Sequence, residues 1–167
     1  MPRGKKKQVR IGQQEQRLLS DLVKTIKDYK IFSGNKKERE TKFNERLRDY
    51  LLQRDFDVVN KKIYMTEIMG ERFRPEFYVR SDSGKKLCAV ECKRLTENNA
   101  KSRWKEGISQ AILYSLTYKA VILLYFDFTK GAKYVAKIGS GRTLENRFLG
   151  ILKKKHHIHV VLLTPRN

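Results

Sequence analysis

Along the first third of the chain, apolar residues recur at helical intervals. Leu18, Leu19, Leu22, Val23, Ile26 and Tyr29 mark one stripe over residues 13–30. Phe43, Leu47, Tyr50, Leu51 and Arg54 share one face of a second over 37–54, and Ser33-Gly34-Asn35 between them is a stop signal. The period then changes. Residues 56–65, 72–80 and 86–94 read as three strands, the last two joined by a Ser81-Asp82-Ser83-Gly84 turn. A third helical pattern covers 100–118. The run AVILLYFDF at 120–128 is too continuously apolar for a half-exposed strand and predicts a buried one. The tail predicts a short strand near 134–138, a Gly-Ser-Gly turn, a helix near 143–155 and a last strand near 157–163.

From residue 37 the order is α-β-β-β-α-β. A long apolar strand after a helix implies a mixed sheet covered on both faces. The expectation is an α/β fold with a mixed central sheet flanked by helices, an N-terminal helix and a C-terminal β-α-β extension. Residues 11–167 read as a single domain, and residues 1–10 as a basic disordered arm.

Charge narrows the partner. Thirty-eight Lys and Arg face eighteen Asp and Glu, a net +20. Five of the cations lie in the first ten residues, so the rest of the chain keeps 33 against 18, or +15. The excess therefore belongs to the folded part as well as the arm. A polyanion is the natural partner, DNA first, with RNA as the alternative. No apolar run approaches the ~20 residues of a spanning helix, and no apolar segment follows the basic N-terminus as a secretory signal would require. A membrane partner is not expected. Cys88 and Cys92 are too few for a disulfide framework or a four-cysteine cluster, which suits a cytoplasmic, reducing setting.

The hairpin carries the chemistry. Side chains alternate along a strand, so Glu91 and Lys93 share one face while Cys88, Val90 and Cys92 share the other. Ionised groups at the end of an apolar strand are costly unless paired or bound. Glu76 lies on the neighbouring strand and an antiparallel pairing brings it alongside Glu91. Two such carboxylates repel, and a divalent cation relieves the repulsion. Mg²⁺ is the hard ion that oxygen ligands suit, with Mn²⁺ as a substitute.

Pro75-Glu76, then Glu91-Cys92-Lys93 fifteen residues after Glu76, then the Gln110 to Tyr114 segment QAILY resemble the PD-(D/E)XK nuclease superfamily. The last segment is similar to the Gln-x-x-x-Tyr signature of its RecB-like branch and of Holliday-junction-resolvase-like relatives. The resemblance spans about residues 37–128 and implies a restriction-endonuclease-like core. It departs at Glu76, where the family usually has Asp; the extra methylene moves the carboxylate. The resemblance implies a metal-dependent DNA endonuclease, structure-selective or weakly sequence-specific. Glu76, Glu91 and the Cys92 carbonyl would hold the ion, completed by a first-helix glutamate: Glu45, with Glu38 and Glu40 as alternatives. Lys93 would orient the attacking water or offset charge. Gln110 and Tyr114, four residues apart on one helical face, would meet the metal site or a DNA phosphate. Arg74, Lys101 and Arg103 flank the hairpin as phosphate contacts.

The remaining features read more plainly. Asp127 is a loop cap, Trp104 and Tyr118 are core, and His156, His157 and His159 form a solvated turn or a phosphate contact. The first helix is a candidate dimer element, although its stripe could equally pack on the chain's own core. A nucleic-acid-binding protein of the same fold without useful activity is the rival expectation.

Overall fold

The first helical stripe folds as α1 (Gln13–Asp28), burying Leu19, Leu22 and Ile26 at three- and four-residue steps. The computed structural model describes residues 11–32, 36–60, 66–68, 70–139, 141 and 143–166. The expected arm at 1–10, the stop at 33–35 and part of the first strand, 61–65, lie outside the described residues. After β1 (Ile31–Phe32), the second stripe becomes α2 (Glu40–Leu52), with Phe43, Asn44, Leu47 and Leu51 buried. Burying each of the large apolar side chains contributes about 1.5–3 kcal/mol. The amphipathic face, and not helix propensity alone, therefore fixes both helices.

The strand region is more broken than the apolar pattern predicts. β2 (Val58–Val59) is short, and β3 (Thr66–Ile68) pairs with β4 (Glu71–Phe73) in a separate ribbon. The segment 72–80 divides at Arg74-Pro75, and β5 covers only Phe77–Arg80. Proline has no N–H to give a ladder, so it ends the pairing there. β6 (Lys86–Leu95) is the longest strand and is buried along most of its length.

α3 (Ala100–Tyr114) then crosses to β7 (Ala120–Asp127), in which every residue is buried. Gly107 lets α3 approach β7 closely, because a Cβ there would stand 2.6 Å from the Tyr125 hydroxyl. The tail holds α4 (Lys133–Gly139), α5 (Leu144–His156), β8 (Ile158–Leu163) and β9 (Pro165–Arg166), the last pairing with β1.

Residues 134–138 are therefore helical, where the sequence pattern predicts a strand. The place beside β7 is taken by β8, and Asp127 organises the turn instead. Its fully buried carboxylate accepts from Thr129 N and Oγ1 and from the Tyr134 and Val135 amides at 2.6–3.1 Å. Thr129 Oγ1 accepts from Lys133 N. Three first-turn amides of α4 are thus satisfied from upstream.

The main sheet has the order β2-β5-β6-β7-β8. β2, β5 and β6 are antiparallel neighbours; β6, β7 and β8 run parallel. One face, carrying Cys88, Val90 and Cys92, packs on α1 and α2. The other, carrying Ala89, Val121, Leu123 and Tyr125, packs on α3 and α5. The architecture is an α/β fold with a mixed five-stranded sheet flanked by helices. The apolar stripe of α1 packs on this core. Among the described residues no helix is long and apolar enough to cross a membrane.

Candidate active site

β6 delivers Glu91 and Lys93 to the α3 face by strand alternation. Their side chains are only 3% and 5% exposed, and Lys93 Nζ donates to Glu91 Oε1 at 2.6 Å. Glu91 Oε2 is buried and makes no hydrogen bond within the protein. Glu76 precedes β5 by one residue. Continuing the register in which Phe77 faces Val90 sets it opposite Glu91. Pro75 keeps it out of the ladder, in a bend.

A third carboxylate arrives from the start of α2. Glu40 Oε2 accepts from the Arg94 backbone amide at 2.8 Å, and its Oε1 lies 3.7 Å from Arg103. α3 adds Glu106, whose Oε1 is 3.2 Å from Lys93 Nζ and whose Oε2 pairs with Arg103 at 2.9 Å. The cluster therefore joins four acids and two bases from α2, the β5 entry, β6 and α3.

The charges feel one another. Burial, followed by the Glu76 and Glu40 charges, pushes the Glu91 carboxyl up to about 7, although Lys93 opposes this. Burial and the Glu40 charge raise Glu76, while Lys93, the Asn44 amide and Arg103 pull it down. Burial alone would lower Lys93, but the Glu91, Glu40 and Glu106 charges outweigh it and hold the ammonium above its ordinary value. Lys93 is thus a fixed positive charge and no free base.

The remaining candidates divide. Tyr114 is fully buried and its hydroxyl donates to the Arg74 carbonyl at 2.6 Å. It secures the bend that carries Glu76 and does not present itself to a nucleic acid. Gln110, one turn before it, has a buried side-chain oxygen that makes no hydrogen bond within the protein. Arg103 is held between Glu40 and Glu106, and Lys101 is exposed at the start of α3. Glu45 lines a 150 Å³ cavity beside Glu76 with Thr41, Asn44, Arg48 and Asn60, but it is Glu40 whose charge couples to both Glu76 and Glu91. Glu38 turns away, pairing with Arg46 at 2.8 Å.

Two signals in the chain point to Glu106, which the sequence pattern left unassigned, and to Glu40, there an alternative to Glu45. Glu106, Gln110 and Tyr114 step by four along one helical face. Glu40 precedes Phe43, Asn44 and Leu47 by three, four and seven residues, which puts it on the inward side of α2.

The donor set suits a hard divalent ion. It consists of carboxylate oxygens, with the Cys92 carbonyl next in the chain. The unpartnered Glu91 oxygen and the raised Glu76 and Glu91 carboxyls are what a bound cation would relieve. As the side chains stand, no three His, Cys, Asp or Glu among the described residues form a group able to hold a metal, and one Glu91 oxygen is given to Lys93.

No family model, curated protein or solved structure matches this chain.

Proposed function

We propose that the chain is a Mg²⁺-dependent endonuclease that hydrolyses phosphodiester bonds in DNA, of the PD-(D/E)XK type. The observation that carries this reading is the gathering of the half-buried Glu40 and Glu76 around the buried Glu91–Lys93 pair of β6. A net charge of +20 supports a polyanionic substrate. Glu76, Glu91, Glu40 and the Cys92 carbonyl would hold Mg²⁺ or Mn²⁺. The ion supplies a polarised phosphate, a more acidic water and a neutralised leaving oxygen.

The protein's own groups do the rest. Lys93, kept charged by its neighbours, stands where it can orient the attacking water or offset charge on the phosphate. Glu106 and Arg103 hold Lys93 and Glu40 in place. Tyr114 steadies the Glu76 bend, and Gln110 offers its unpartnered oxygen to a donor at the α3 face. Lys101 is exposed and available to backbone phosphate. The reading takes cleavage to be structure-selective or weakly sequence-specific. Two free, buried cysteines suit a cytoplasmic setting.

The test is to incubate supercoiled plasmid and branched DNA with the protein in Mg²⁺, Mn²⁺ or EDTA. Metal-dependent nicking that falls at least ~10³-fold in Glu91→Ala and in Lys93→Ala is the expected result. Binding with no cutting under any metal would refute the enzyme.

One observation favours a second reading, a cationic nucleic-acid-binding protein. Lys93 is already answered by Glu91 and Glu106. That reading predicts DNA affinity unchanged by EDTA and no nicking at all. Competition between RNA and DNA in the same assay separates the two substrate classes.

A further inference from the structure

On the sheet face opposite Glu91, α1 and the α5–β8 junction border a half-open cavity of about 530 Å³. His159, on β8 two strands from β6, pairs with Ile122 of β7 and faces the α1 side with Val161 and Leu163. The sheet itself therefore separates this cavity from Glu91.

Its walls are of two kinds. Ile11, Leu19 and Val23 form an apolar side. Lys24 and Lys27 reach it from α1, Lys153 from the last turn of α5, and His157 and His159 from the junction and β8. Among the described residues that line it there is no Asp or Glu. The crowding is felt at His159. Burial first, then the Lys153, His157 and Lys27 charges, lower its pKa to about 4.

Such a space is the right size for an organic ligand, typically ~300–1,000 Å³. Its cations call for an anion, and a dianionic phosphomonoester answers several of them at once. Its aliphatic side calls for a weakly polar group, such as the face of a nucleobase. A hexose would leave most hydroxyls unpaired there, because Gln16 and Ser20 are the neutral polar side chains on the wall.

We propose that this cavity binds the phosphomonoester of a nucleotide. The phosphate lies among Lys27, Lys153, His157 and His159, and the base lies on Ile11, Leu19 and Val23. The inference stands whether or not the carboxylate site cuts DNA. The same chemistry reaches the cavity from two sources, a free nucleotide or the 5′-phosphorylated end of a strand.

The test uses the full-length chain in EDTA and follows the His159 ring by NMR. The probes are AMP, adenosine, inorganic phosphate, and one short oligonucleotide with either a 5′-phosphate or a 5′-hydroxyl. AMP is expected to raise the His159 pKa above 4 and to bind about tenfold tighter than adenosine or inorganic phosphate. The Lys27→Gln/Lys153→Gln double variant should lose about tenfold of that affinity with Tm unchanged. Response to AMP identifies a free nucleotide; response only to the 5′-phosphorylated strand identifies a strand end. The site is overturned if neither AMP nor the 5′-phosphate perturbs His159. It is equally overturned if inorganic phosphate does as well as AMP, or if the double variant binds like the wild type.

Discussion

Where α3 and the start of α2 meet the sheet, Glu40, Glu76, Glu91 and Glu106 crowd together with Lys93 and Arg103 standing among them. On the α1 side, lysines and histidines surround a cavity, and no described acid on its wall answers them. Both regions gather like charges, the first around the buried Glu91 and Lys93, the second with exposed lysines around a half-buried histidine. The acidic one carries its counter-charge on the same strand, and the basic one leaves that role to something outside the chain. Charge count alone would not separate them: a +20 chain builds its acid cluster with bases inside, and its basic cavity without acids.

Breaking the internal balance should have the largest effect. Lys93→Met leaves Glu91 buried without its partner, and the expected loss is about 3–5 kcal/mol in denaturant unfolding at pH 7.5. The loss should shrink at pH 5, where Glu91 takes a proton. Lys153→Gln, an exposed cation on the other face, should cost under about 0.5 kcal/mol. Equal costs for the two variants would erase the contrast.

A smaller effect comes from pH. Glu91 has a raised pKa, so its contribution to stability is present below its ordinary carboxyl range and is lost as pH rises through about 7. His159 has a lowered pKa, so its contribution is present above the ordinary histidine range and is lost as pH falls through about 4. The two slopes oppose one another between these limits, each at most about 1.4 kcal/mol per pH unit. Glu91→Gln should make stability rise more steeply with pH over this window, and His159→Gln should tilt it the other way. Thermal unfolding from pH 4.5 to 7.5 in EDTA reads both. Tyr114→Phe should cost about 1 kcal/mol, for the hydroxyl bond to the Arg74 carbonyl.

Strong periodicity made most elements legible. The stripes of α1 and α2 and the continuous run of β7 carry their burial in their spacing, while alternation in β6 fixes which face each side chain takes. The short run at 134–138 did not, because five residues of mixed polarity fit either period. Its helix is set by a carboxylate from outside the run, at Asp127. The division at Pro75 was readable in principle but gave way to the apolar pattern around it. Within the site, the pairing of Glu76, Glu91 and Lys93 follows from hairpin register. Glu106 and the place of Glu40 depend on which helix face meets the strand ends, a tertiary matter. The cationic cavity was least visible, since Lys27 and His159 are 132 positions apart.

Asp127 ties the fate of two elements to one side chain. α4 has seven residues, too few to persist as an isolated helix. Its opening amides are bound by groups belonging to the last residue of β7 and the turn beyond it. The helix thus draws its N-terminal caps from the strand end, and its first turn depends on that end being in place. The Tyr134 and Val135 amides are released to solvent only when that strand end lets go.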